Sequence, residues 1–159
     1  MRVLDQSLAA FLQGPVMMVF AAKDADGWPA VGRAVGARPS PDLAAVDIFV
    51  PAHQWSPALS GVVPGAPIAL TFVQPADYRA FQVKGPALSL DPASPADLAM
   101  AEGYVAAMKA VLGGLGVPPD QSPHWLSVDD LMTLRIAPMV AFAQTPGAGA
   151  GEAVAGGVT

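Results

Sequence analysis

The amino-acid sequence predicts a mainly β protein with helices (α+β class), built around a small six-stranded antiparallel barrel. Three observations carry this. Short apolar runs, several rich in β-branched residues, are closed by Pro, Gly and Asp turns. The links between them are too short for the crossovers of a parallel sheet. A single long helical pattern interrupts the series, after the fifth run. Such strand spacing also fits a sandwich.

Taken in order, Leu4, Leu8, Phe11 and Leu12 fall on one helical face, with Asp5 as N-cap and Gly14-Pro15 as a stop. Residues 16–22 form an apolar first strand that ends at the turn Asp24-Ala25-Asp26-Gly27. Residues 29–38 resume as a second strand and complete a hairpin. Gly32 and Gly36 weaken that strand and mark a bulge or a close approach of backbone to a ligand. After Pro39-Ser40-Pro41-Asp42, residues 46–50 make a third strand. A short helix is expected within 53–63, where Trp55, Leu59 and Val62 have helical spacing.

Residues 68–73 give the fourth strand and 78–90 the fifth. On the fifth, Tyr78, Ala80, Gln82 and Lys84 share one face, with Arg79, Phe81 and Val83 on the other. Ser94-Pro95 reads as N-cap and first helical position, with Asp97 in the first turn. The helix that follows runs about five turns, as far as Leu115. Residues 131–142 form the last strand, broken near Pro138. Residues 1–146 read as a single domain. The tail, 147–159, is rich in Gly and Ala, has no core pattern and is expected to be loosely held.

Composition narrows the function. Only 13% of the 159 residues are charged and mean hydropathy is +0.44, so polar groups cover the surface poorly. A second copy of the chain is the expected cover, since homodimer interfaces resemble a core cut in half. The net charge of −5, with no basic run, argues against nucleic acid. The start of the chain lacks the pattern of a signal peptide, and no apolar run is long enough to span a bilayer, so the expected place is the cytoplasm, with no membrane partner. Without cysteine there is no disulfide, thiolate nucleophile or thiolate metal site.

No catalytic residues are assigned and no metal site is expected. His53 and His124 sit in proline-containing loops without carboxylates at ligand spacing, and read as solvated. Asp24 and Asp26 are explained by their turn. The run Gly147-Ala148-Gly149-Ala150-Gly151 has no following helix and no lysine, which rules out a phosphate loop. Basic residues in unusual places remain. Arg33 and Arg38 flank a small-residue stretch, and Arg79 and Lys84 lie on the fifth strand. Paired guanidiniums can clamp a phosphate, and small neighbours let a flat ring approach the backbone. Alternation puts 33 and 38 on opposite faces, so they share a site only if the strand bends near Gly36.

In their order these motifs resemble the pyridoxamine 5′-phosphate oxidase-like family, the FMN-binding split barrels. The similarity covers roughly residues 11–151. It rests on Asp24-Ala25-Asp26-Gly27-Trp28-Pro29, Arg33-x-Val35-x-x-Arg38, Asp47-Ile48-Phe49-Val50, the run Tyr78-Arg79-Ala80-Phe81-Gln82-Val83-Lys84-Gly85, and Gln144-Thr145-Pro146-Gly147. The resemblance implies a split-barrel homodimer with FMN in grooves between the subunits. Arg33 and Arg38 are then expected at the flavin or its phosphate, with Ser56 at the phosphate. Backbone amides around Val35 to Ala37, Gly36 included, and the side chain of Gln82 are expected at the ring, and Lys84 is expected among the cofactor-binding residues. The loop after the third strand lacks the family's basic residue. The C-terminal Arg-x-His of true pyridoxamine oxidases is also absent, so that activity is not implied. Two readings follow: an FMN-dependent oxidoreductase of unknown substrate, or a split-barrel homodimer without FMN that binds haem or another planar ligand, or serves as a structural protein.

Overall fold

The computed structural model describes residues 2–154. Among them, three helices and eight strands alternate in the order α1 (Gln6–Leu12), β1 (Met17–Lys23), β2 (Pro29–Ala34), β3 (Ala37–Pro39), β4 (Val46–Pro51), α2 (Ala52–Leu59), β5 (Pro67–Val73), β6 (Ala80–Pro92), α3 (Pro95–Gly114), β7 (Leu131–Ile136) and β8 (Val140–Ala143). All strand pairings are antiparallel. The strands follow the order β2-β1-β5-β6-β7-β4-β3, and β8 pairs with β6.

Strand β6 belongs to two sheets. Its first half pairs with β5 and β8, and its second half pairs with β7 from Ala87 onward, with a register shift between Ala87 and Ser89. At the opposite edge the chain passes from β2 to β3 through Val35 and Gly36. There Val35 N–H donates to Phe49 O (2.8 Å) and Phe49 N–H to Gly36 O (3.1 Å). Two sheets, joined by a shared strand on one side and a corner on the other, make a split barrel. Phe20, Phe49, Phe72, Leu70, Ile48, Leu134 and Ile136 fill it, and Leu8 and Leu12 of α1 join that core.

Eight strands stand where the sequence predicts six, because two predicted strands are each divided. Gly36 breaks the second with φ +142°, a conformation that L side chains rarely adopt. A Cβ there would also lie 2.8 Å from Phe49 Cδ2. The last strand divides between Ile136 and Val140, around Pro138, as its sequence suggests. The fifth strand starts at Ala80 rather than Tyr78. Tyr78 has φ +60° and its N–H bonds to Gln74 O, so it belongs to the preceding turn.

Helix α1 has the expected cap, Leu8 N–H donating to Asp5 Oδ1 at 2.7 Å. Helix α3 opens with a capping box between Ser94 and Asp97. Helix α2 is shorter than expected and kinks at Trp55, with Pro57 inside it. The tail departs from its expectation. Ala143 N–H bonds to Glu152 O, Gly151 N–H to Ala143 O and Val154 N–H to Ala141 O, so residues to 154 fold back on β8. Gly147 (φ +147°) and Gly151 (φ +89°) make that reversal possible without side-chain conflict. The expectation for 155–159 lies outside the described residues.

Replacing Gly36 by alanine is expected to cost about 2 kcal/mol, within the usual range for a residue forced into a disfavoured backbone region. Urea unfolding of G36A against the parent checks it.

Candidate functional site

Strand alternation decides which side chains leave the barrel. In the sheet β2-β1-β5-β6-β8, the pairs Val19↔Arg33, Val19↔Thr71, Thr71↔Gln82 and Gln82↔Phe142 form one row across the outward face. The next row is Val31, Ala21, Ala69, Lys84 and Val140. Val19, Ala21, Ala69 and Thr71 are only half-buried although strands flank them on both sides, so the centre of this face is open. Arg33 and Gln82 stand about 14 Å apart at the backbone, three inter-strand steps. Lys84 is one row away, about 7 Å along the strand from Gln82.

The polar groups of this face are held in place. The Arg33 guanidinium lies 5.5 Å from the centre of the Trp125 ring. Gln82 Nε2 donates to Thr71 Oγ1 at 3.0 Å, which leaves the Gln82 carbonyl oxygen available as an acceptor. Lys84 Nζ sits 5.1 Å from the centre of the Phe142 ring. Lys23, at the end of β1, also faces outward. The five strands carry no Asp or Glu on the stretch that forms this sheet. A chain of net charge −5 therefore places three of its eight Lys and Arg on one apolar face, none of them in an ion pair among the described residues.

Arg38 is elsewhere. It lies on β3 in the other sheet, opposite Asp47 of β4. Its guanidinium reaches Asp47 Oδ2 at 2.8 Å and Asp97 Oδ1 at 2.6 Å. Arg135 of β7 adds a contact to Asp47 Oδ1 at 3.2 Å, and Thr133 donates to Asp97 Oδ2 at 2.9 Å. Both carboxylates are buried. Burial opposes ionisation of Asp97, but the Ser94 N–H, the Thr133 hydroxyl and the Arg38 guanidinium outweigh it, and the carboxyl titrates below its ordinary range. The hydrogen bond with Asp47 leads the effects that raise the Arg38 pKa.

The sequence-predicted site residues thus separate. Arg33, Gln82 and Lys84 come together on one face. Gly36 does bend the strand, but the bend carries Arg38 into the second sheet, where it neutralises two carboxylates. Val35 is fully buried and its N–H is bonded to Phe49 O, so it presents no amide to a ring. Gly36 closes the corner. Ser56 is an exposed residue of α2. Trp55 packs against the core and its Cβ lies beside Gly32, where an added Cβ would come within 3.1 Å. Arg79 is fixed over Phe11 and Phe81, at 5.3 and 5.4 Å.

Several contributors escape sequence reasoning. Thr71, Trp125 and Lys23 carry no motif. Asp47 does leave a trace: one carboxylate in an otherwise apolar buried strand requires a cation. Neither histidine is on the open face. His53 is on α2, with Nδ1 3.2 Å from Asp129 O, and His124 is in a 3₁₀ turn. No group of three or more His, Asp or Glu that could hold a metal occurs among the described residues, and no helix among them is long and apolar enough to cross a membrane.

No family model and no curated protein matches the chain. Solved structures do. An F420 reductase superposes with a TM-score of 0.52 at 14% identity, covering 87% of this chain and 98% of that one. HupZ of Group A Streptococcus gives 0.53 at 17%, covering 93% and 99%. A pyridoxamine 5′-phosphate oxidase-like protein of Lactobacillus delbrueckii gives 0.51 at 16%, covering 90% and 96%. At these identities the likeness is one of fold: the chain shares the split-barrel fold of these structures.

Two outcomes follow from the Arg38 cluster. Substituting Arg38 by Met leaves Asp47 and Asp97 short of a cation and is expected to cost about 3 kcal/mol, the low end for a broken buried pair because the guanidinium is one-third exposed. The Asp97 pKa is lower folded than unfolded, so its stabilisation is present above the ordinary carboxylate value, near 4, and is lost as pH falls through the folded value. D97N is accordingly expected to flatten the acid limb of the stability–pH curve, as followed by denaturant titrations from pH 7 downward.

Proposed function

We propose that the protein is a homodimer that binds FMN on the open face of its first sheet and acts as a flavin-dependent oxidoreductase. The observation that carries this is the positive charge of Arg33 and Lys84, without an ion pair among the described residues, on an apolar, half-open platform, with Gln82 in the row of Arg33 and Lys84 one row away. An anionic ligand with a planar ring matches such a surface: guanidinium for phosphate, small residues for the ring face, and a carboxamide acceptor for a ring N–H. FMN has those parts. Arg33 would hold the phosphate, and Gln82 and Lys84 would hold the ring edge. Arg38 is left out, because its two carboxylates already satisfy it.

When bound, the flavin supplies the hydride or electron chemistry, and the chain supplies binding and orientation. Thr71 fixes the Gln82 amide, and Trp125 fixes the direction of Arg33. A second copy would cover the exposed apolar residues of the same face, Val31 (59% exposed) among them, and shield the ring from water. Haem is the weaker reading here, since iron calls for an axial ligand and the platform offers no imidazole.

Titration of flavin-free protein with FMN, followed by quenching of flavin fluorescence, is expected to saturate at one FMN per chain. R33A is expected to weaken binding roughly 10- to 100-fold, the loss of a charged hydrogen bond worth about 1.5–3 kcal/mol. Absence of saturation with the parent protein would remove FMN from the account. By size exclusion with light scattering the parent should have the mass of two chains, and V31E should move it toward one.

A further inference from the structure

At the end of the same sheet, overlapping the platform's second row at Ala21, Ala69, Lys84 and Val140, lies a groove of about 620 Å³. Its walls are apolar, with Ala69 and Ile68 of β5, Pro86 of β6 and Val140 of β8 among them. Two polar side chains reach it, Lys23 and Lys84, and both are exposed. No acidic residue lines it, and neither lysine makes an ion pair among the described residues. Its volume falls in the usual range for small-molecule sites, and its lining follows their usual pattern of apolar walls with few polar anchors.

From this we infer a second binding site, one that takes small amphipathic organic acids: an aromatic or aliphatic body with a carboxylate. The body fills the apolar trough and the carboxylate meets the lysines at the rim. Charge complementarity selects the acid over its neutral analogue, because a chain with net charge −5 has concentrated two of its scarce cations at this edge. Lys84 stands between groove and platform, so a bound acid would lie next to a platform ligand. The groove shares Ala21, Ala69, Lys84 and Val140 with the second row of the platform, but Lys23, Ile68 and Pro86 lie outside the residues assigned to FMN, so acid binding is tested on flavin-free protein.

The test uses the full-length, flavin-free protein and two fluorescent probes of one shape, 2-naphthoate and the uncharged 2-naphthalenemethanol. Naphthoate is expected to saturate at one per chain, with the alcohol on the order of tenfold weaker. Lys23→Ala should weaken naphthoate about fivefold, the scale of one solvent-exposed charge pair, and leave FMN affinity unchanged. Arg33→Ala should do the reverse. Equal binding of acid and alcohol, indifference to Lys23→Ala, or no saturation would each overturn the proposal. Failure to saturate in a sample with the mass of a dimer would mean that a second copy fills the groove. Loss of FMN binding with naphthoate binding intact would sink the flavin reading and leave this one standing.

Discussion

Two carboxylates buried at the seam of the second sheet, Asp47 and Asp97, constrain much of what the molecule can do. A buried carboxylate is costly unless a cation meets it, and this chain has only eight Lys and Arg. Arg38 answers both, and Arg135 adds to Asp47. The cluster ties β3, β4 and β7 to the first turn of α3. It holds the chain on the far side of the Gly36 corner, which keeps the barrel split into two sheets. It also neutralises the guanidinium that, by resemblance, is expected at the flavin or its phosphate.

The consequence appears across the barrel. With Arg38 and Arg135 paired to buried carboxylates of the second sheet, and Arg79 fixed over Phe11 and Phe81, three cations lie on the outward face of the first sheet: Arg33, Lys23 and Lys84. No strand of that face offers a carboxylate. Electrostatics and apolar exposure therefore coincide on one surface, and they favour a ligand that is both flat and anionic.

Much of this was legible in the residues. Asp5, Ser94 and Asp97 announced their helix starts through capping chemistry, and the turns around Asp24 and Pro138 marked strand ends. The alternation of residues 80–84 put Gln82 and Lys84 on one face before any pairing was known. What sequence could not supply was register between distant strands. Thr71 beside Gln82, and Val19 linking Arg33 to both, are products of pairing across β1 and β5. Gly36 marked a place for a bulge or a close backbone approach, but whether the strand bends there, and in which direction, decides whether Arg33 and Arg38 meet. That direction depends on Phe49, which bonds Val35 and Gly36 from β4. The tail misled because glycine and alanine lack a core pattern, yet here their small size permits close return onto β8.

Hydrogen–deuterium exchange of the full chain with and without saturating FMN addresses the central claim most directly. The account predicts protection in β1, β2, β5 and the first half of β6, with β3 and the start of α3 unchanged. Protection centred on Arg38 and the first turn of α3, or none anywhere, would contradict it.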